Sequence, residues 1–183
     1  ASIKIPARRG SGRARQRSAA LTLSAGVTPA AQVIIPREAT MAEFNDKAMR
    51  GFNDQLIEEF RANGGKVLSG PFVGAPLLLL TTTGAKSGRP TTTPLVYTRD
   101  GDRIVIIASK AGAPTHPAWF HNLKAHPTPT IELGVERFQA MAVITSGPER
   151  ERLFNAQAKA MPAFVGYQKN TTRQIPVIVL ERM

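Results

Sequence analysis

The stretch Thr81-Thr82-Thr83-Gly84-Ala85-Lys86-Ser87-Gly88-Arg89-Pro90-Thr91-Thr92-Thr93-Pro94 packs glycines, hydroxyl side chains and two cations into one turn-forming segment. Such a turn can aim backbone N–H groups, hydroxyls and a lysine at a single anion. An ordinary polar hairpin loop has the same composition, so the segment alone leaves both readings open. It is no Walker loop, because the spacing is wrong and no Gly-Lys-Ser/Thr precedes a helix. His116, His121 and His126 fall at five-residue intervals and invite a metal reading. Five residues advance a helix by about 500 degrees, so the rings do not share a face, and no metal site is expected. The absence of cysteine excludes disulfides, thiolate metal sites and cysteine nucleophiles.

The elements that must position these groups are legible from periodicity. Phe44, Ala48, Phe52, Leu56 and Phe60 recur every four residues, with Met49 and Ile57 widening the stripe, which predicts an amphipathic helix over 41–64 ended by Gly64-Gly65. Strands are expected at Leu77 to Thr83, Thr91 to Thr98 and Arg103 to Ser109, the last two joined by a hairpin turn at Arg99-Asp100-Gly101-Asp102. A short helix from Pro117 to about Ala125 stops at His126-Pro127. A second strand pair follows at Thr128 to Leu133 and Arg137 to Thr145, turning at Gly134. Ser146, Pro148 and Glu149 read as an N-cap, a first-turn proline and a capping box for a helix ending near Pro162. A last strand is expected at Ile175 to Leu180. Runs apolar on both faces suggest strands covered on both sides, as in a small closed barrel flanked by helices.

The chain of 183 residues is 42% hydrophobic, enough for one buried core, and carries a net charge of +11. Seven basic groups and one acid in residues 1–40 place +6 of that charge there. This segment reads as a basic, disordered extension or leader, and 41–183 as one domain. No apolar run approaches the ~18 residues of a membrane span. A soluble, cytoplasmic protein is therefore expected, with the basic arm compatible with contact at the inner membrane face. No nucleic-acid partner is expected.

Taken in order, Leu79 to Pro90, Pro94-Leu95-Val96-Tyr97, Arg99 to Asp102, Ala108-Ser109-Lys110, His116-Pro117-Ala118-Trp119-Phe120-His121-Asn122-Leu123 and Arg173-x-Ile175-Pro176-Val177-Ile178-Val179-Leu180 resemble the deazaflavin (coenzyme F420)-dependent nitroreductases, or F420H2-dependent oxidoreductases. The resemblance implies a split β-barrel, mainly β with flanking helices and FMN-binding-protein-like, that holds coenzyme F420. It implies that the loop Ala85, Lys86, Ser87, Gly88 and Arg89 meets the cofactor's phosphate. Thr91, Thr92, Thr93, Pro94, Leu95 and Val96 would run under the cofactor. Ala108, Ser109 and Lys110, with Ala118, Trp119 and Asn122, would line the ring and ribityl region, Trp119 as a wedge. An anionic tail would suit Lys86, Arg89 and Lys110. Thr91 stands where family members often carry Arg, which shifts the phosphate contact to Arg89 or weakens it.

On the acceptor side, the resemblance places Val96, Met161 and Phe164 where nitroimidazole-reducing members carry tyrosines. The missing hydroxyls point to quinones, coumarin-type enones or similar flat acceptors rather than nitroimidazoles, within a class that also includes nitroaromatics. Ser109 and Tyr167 keep a polar group near the expected reaction face and are the catalytic candidates, Tyr167 as a proton donor. The implied activity is hydride transfer from reduced deazaflavin to a small electron-poor acceptor, and related split barrels are commonly homodimers. The rival readings are the same fold with FMN or haem, and a non-catalytic nucleic-acid or membrane-surface module driven by the basic arm.

Overall fold

The computed structural model describes residues 46–183. The expectations for 1–40 and for the first residues of the N-terminal helix fall outside the described residues. Helix α1, Asp46–Ala62, keeps the C-terminal half of the predicted stripe: Leu56, Ile57 and Phe60 are buried, whereas Met49 and Phe52 are exposed, the Phe52 ring lying 6.0 Å from Phe72, centroid to centroid.

Six antiparallel strands follow: β1 (Leu77–Thr83), β2 (Pro90–Asp100), β3 (Arg103–Ile107), β4 (Thr130–Leu133), β5 (Glu136–Ile144) and β6 (Val177–Arg182). They close a barrel in the order β1-β2-β3-β6-β5-β4. Helix α2 (Ala118–Ala125) joins β3 to β4, and α3 (Gly147–Ala160) and α4 (Ala163–Lys169) join β5 to β6. Two long strands each serve two sheets. β2 pairs with β1 over 90–96 and with β3 only over 97–100, while β5 pairs with β4 over 136–139 and with β6 over 140–144.

Alternation divides the strand residues between three apolar clusters. Leu78, Leu80, Ile104, Ile106, Ile131, Ile178 and Leu180 fill the barrel, with Trp119, Phe120 and Leu123 of α2 packed into the same cluster. Leu77 and Leu79 face the other way, under α1, and Val105, Ile107, Val177 and Val179 pack under α3 and α4. Each fully buried Leu or Ile contributes about 1.5 to 3 kcal/mol by leaving water, so the barrel interior is the main stabilising mass.

Several local expectations are corrected. Ser146 has the extended backbone of an N-cap, yet its side chain makes no capping bond, and Glu149 turns outward to Arg103 at 2.9 Å instead of closing a capping box. The ion pair outcompetes the backbone because Arg103 already leans toward α3 through Asp100, which also binds Arg152 at 2.6 Å. After α3, the short helix α4 occupies a stretch between Pro162 and Ile175 for which the sequence predicts no element. The final strand runs Val177–Arg182 rather than 175–180, since Ile175 is buried in the approach loop, where its carbonyl accepts from Arg150. β3 stops at Ile107, and β2 has no fully buried residue, unlike β1.

Candidate functional site

The β1–β2 loop is tightly curled and anchored. Gly84 N–H donates to the Arg89 carbonyl at 2.8 Å, and Gly88 N–H to the Gly84 carbonyl at 2.8 Å, curling the loop on itself. Gly88 sits at φ +66, which favours glycine, and a Cβ on Gly84 would lie 2.4 Å from Ser87 Oγ and 3.1 Å from the Arg89 carbonyl, so a side chain there would push the serine aside. Ser87 Oγ accepts from Arg89 N–H at 3.3 Å. Asn122 of α2 ties the loop down: its Oδ1 accepts from Ala85 N–H and its Nδ2 donates to Thr82 Oγ1, both at 3.0 Å. Among the described residues, the N–H groups of Lys86 and Ser87 have no intramolecular acceptor. Nor does any described carboxylate pair with Lys86, Arg89 or Lys110.

From this loop β2 runs as a platform with one bare edge. Tyr97 N–H donates to the Pro76 carbonyl at 3.0 Å, so the backbone groups of Tyr97, and by alternation of Leu95, Thr93 and Thr91, face β1. Those of Val96, Pro94, Thr92 and Pro90 face the opposite side, where β3 has no partner for 90–96. Two of these four lack an N–H, so little donor capacity is left bare. Side chains alternate as well. Leu95 and Tyr97 pack on the barrel interior, whereas Val96 packs on the α1 cluster, with Thr92 bonding Thr81 at 2.8 Å on that outer face. The resemblance-derived run Thr91 to Val96 thus divides between two faces: Thr92, Pro94 and Val96 form the outer one.

The segment after β3 leaves the strand that pairs with β2 over 97–100 and turns toward α4. Ala108 is buried, Ser109 is half-buried and Lys110 is exposed, its Nζ reaching Thr115 Oγ1 at 3.0 Å. Gly112, at the end of the 3-10 turn Lys110–Gly112, lies so close to α4 that a Cβ there would be 2.7 Å from the Tyr167 carbonyl. The structure therefore brings Tyr167 beside the Ser109–Gly112 turn. The Tyr167 ring meets Phe164 at 5.4 Å, edge-on, and burial pushes its phenol above its ordinary pKa, so it stays protonated. Met161 caps α3, with its sulfur accepting from Gln157 at 3.3 Å. One residue earlier, Ala160 lines a groove of about 380 Å³ with Pro76, Tyr97, Thr98, Arg99 and Ala156, which sets the end of α3 against the C-terminal half of β2.

Not every candidate converges. Trp119 is 7% exposed and packs in the barrel core, and Ala118 is exposed at the start of α2. Asn122 spends both polar atoms on the protein itself, so it acts on the loop. His116, His121 and His126 do not assemble a metal cluster: no group of three or more such ligands occurs among the described residues. His116 instead stands beside Arg173, its Nδ1 3.0 Å from Nη1, and burial and the nearby cations lower its pKa. Arg173 was visible as part of a motif but had no assigned role, because a long-range clamp leaves no local signal. Chemically, an elongated molecule with an anionic end and a flat ring fits the donor set: unpaired N–H groups and cations at one end, an apolar shelf poor in donors along β2.

A family model described as F420H(2)-dependent quinone reductase matches residues 54–182. A Mycobacterium tuberculosis protein named F420H(2)-dependent quinone reductase is 39% identical over 145 residues, covering 78% of this chain and 90% of its own length. A solved F420-H2 dependent reductase, FDR-A, superposes with a TM-score of 0.54 at 38% identity, over 58% of this chain and 94% of that one. A second solved structure, described as a domain-swapped dimer, gives 0.56 at 34% identity, over 74% of this chain and 98% of the other.

Proposed function

Because the chain belongs to the F420H(2)-dependent quinone reductase family, we propose that it is a reductase that binds coenzyme F420 along the outer face of β2 and passes its hydride to a flat quinone or enone. The observation that carries this placement is the bare edge of β2, opening beside the Lys86–Ser87 loop, whose two N–H groups have no acceptor among the described residues.

The deazaflavin, when bound, supplies two-electron hydride donation, chemistry that belongs to the cofactor. The protein's part is to hold and to orient. Lys86, Arg89 and the N–H groups of Lys86 and Ser87 grip the phosphate, each charged contact contributing roughly 1.5 to 3 kcal/mol. Thr92, Pro94 and Val96 support the ring, with Ser109 and Lys110 along its edge. Of the acceptor-side candidates, Val96 packs on the α1 cluster and Phe164 on the cluster under α3 and α4, so Met161 and Phe164 are the pair offered as an apolar wall for the acceptor. An acceptor that gains a hydride needs one proton as well, and Tyr167, kept in its neutral form by burial, is a suitable donor. The homodimer expected for split barrels extends this reading; a monomer mass in sedimentation at working concentration removes it.

Titration of the protein with oxidised F420, FMN and haem, followed by cofactor fluorescence or absorbance, tests the assignment. Saturable binding of F420 is expected, weakened by Lys86→Ala and Arg89→Ala together on the order of 100-fold or more. FMN binding in preference to F420 overturns the reading.

A further inference from the structure

Lys110 and Ala111 adopt φ values of 46 and 50, two consecutive side-chain-bearing residues in the left-handed region. That conformation is costly for any residue with a Cβ, and glycine would be the default choice. Position 110 bears an exposed lysine in the turn that follows β3, its Nζ reaching Thr115 Oγ1 at 3.0 Å. Strain stored where a cation is presented calls for something that holds it in place.

The holder is Arg173, in the loop between α4 and β6. Its Nη1 donates to the Ala108 carbonyl at 3.2 Å, Nη2 to the Ser109 carbonyl at 2.7 Å, and Nε to the Ala113 carbonyl at 2.9 Å. These acceptors lie on both sides of the left-handed pair, so one rigid fork fixes the entrance and exit of the turn. No carboxylate pairs with Arg173 among the described residues; its donors go to backbone carbonyls and to His116 Nδ1 at 3.0 Å. The guanidinium therefore acts by its geometry, which a lysine cannot reproduce. Backbone bonds inside the turn, Gly112 N–H to Ser109 and Ala113 N–H to Lys110, both at 3.0 Å, depend on the same curl.

We infer that Arg173 is a positioning residue for cofactor binding: it clamps the strained Lys110–Ala111 turn so that Ser109 and Lys110 stand at the open edge of β2. This rests on the placement of F420 proposed above, and its test separates the two. Dissociation constants for F420 are measured on the full chain as wild type, Arg173→Gln, Arg173→Lys, Ala111→Gly and the double variant Arg173→Gln/Ala111→Gly. Hydrogen exchange at the Gly112 and Ala113 amides is followed without any cofactor.

Arg173→Gln is expected to raise the Kd on the order of 10- to 100-fold, while kcat at saturating cofactor changes less than about 3-fold. Ala111→Gly alone leaves the Kd within about 2-fold, because glycine accepts the same φ; in the Gln background it recovers a factor of about 3 or more. The two amides exchange faster in ligand-free Arg173→Gln. Wild-type binding with an unchanged Kd in Arg173→Gln overturns the inference alone, as does a Gln variant that the glycine fails to rescue or whose amides exchange at the wild-type rate. Should Arg173→Gln not fold, Arg173→Lys carries the test: a Kd like that of wild type shows that charge suffices and overturns the clamp. Absence of F420 binding by the wild type overturns the placement, and the clamp with it.

Discussion

Asn122 offers the sharpest test of the anion loop, because two substitutions there separate shape from charge. Asn122→Ala removes both 3.0 Å bonds, to Ala85 N–H and to Thr82 Oγ1. Neutral hydrogen bonds are each worth about 0.5 to 1.5 kcal/mol, so the loss is about 1 to 3 kcal/mol. Part of it is global, since Thr82 is only 2% exposed and its hydroxyl is left without this partner. Asn122→Asp keeps an acceptor for Ala85 and can accept from the Thr82 hydroxyl, so thermal stability should hold near wild type. It also brings a negative charge near the anion proposed to sit on the Lys86 and Ser87 amides, for which a separation of about 7 Å is taken as the order of magnitude. At effective dielectric constants of 80 to 20 that repulsion is about 0.6 to 2.4 kcal/mol, a ~3- to 60-fold weaker Kd. Fluorescence titration with F420 at low and high salt, alongside melting curves, reads both quantities. The Asp variant should bind weakly at low salt and recover part of the loss at high salt, where the exposed charges are screened. Binding at wild-type strength by a folded Asn122→Asp protein would refute the claim that this loop faces an anion.

Other predictions follow from the same geometry. Tyr167→Phe should lower quinone turnover by about 10-fold or more at unchanged cofactor Kd, as general-acid contributions of 10² to 10⁴ are diluted by solvent; unchanged turnover removes Tyr167 from the proton path. Thr91→Arg should tighten F420 binding by about 3- to 10-fold by adding a charged contact at the exposed start of β2. The Arg152 and Arg103 guanidinium groups hold the Asp100 carboxyl well below the usual carboxylate range. Its folded pKa is depressed, so the stabilisation is present above the unfolded value near ~3.9 and fades as pH falls below it. The urea midpoints of wild type and Asp100→Asn should therefore differ at neutral pH, and the gap should begin to narrow as pH falls below ~3.9 and close only below the depressed folded pKa; a gap that does not narrow at all between pH 5 and pH 3 contradicts this account.

Periodicity carried most of the fold. The C-terminal half of the α1 stripe, the apolar run of β1 and the turn at Gly101-Asp102 each report a local physical cause, and each appears within the expected segment. Misses came where a distant partner decided the matter. Glu149 chose Arg103 over its own helix end, and β3 ended early because the chain swings into the turn held by Arg173. The β2 segment looked like one continuous lining. Only its register with β1 and β3 separates Thr92, Pro94 and Val96 from their inward-facing neighbours. Lys86, Ser87 and Arg89 were visible as chemistry, whereas the anchoring of their loop by Asn122, 37 residues away from Ala85, was not.

The prolines at 90 and 94 serve a further purpose. A sheet edge left unpaired over seven residues is open to another extended chain, which could dock there backbone to backbone. Two ring nitrogens without hydrogens, spaced four apart on that side, break the ladder such an intruder would need. On the proposed placement, the opening would discriminate against polypeptide while still suiting a flat heterocycle, which needs a surface to lie on and few backbone partners.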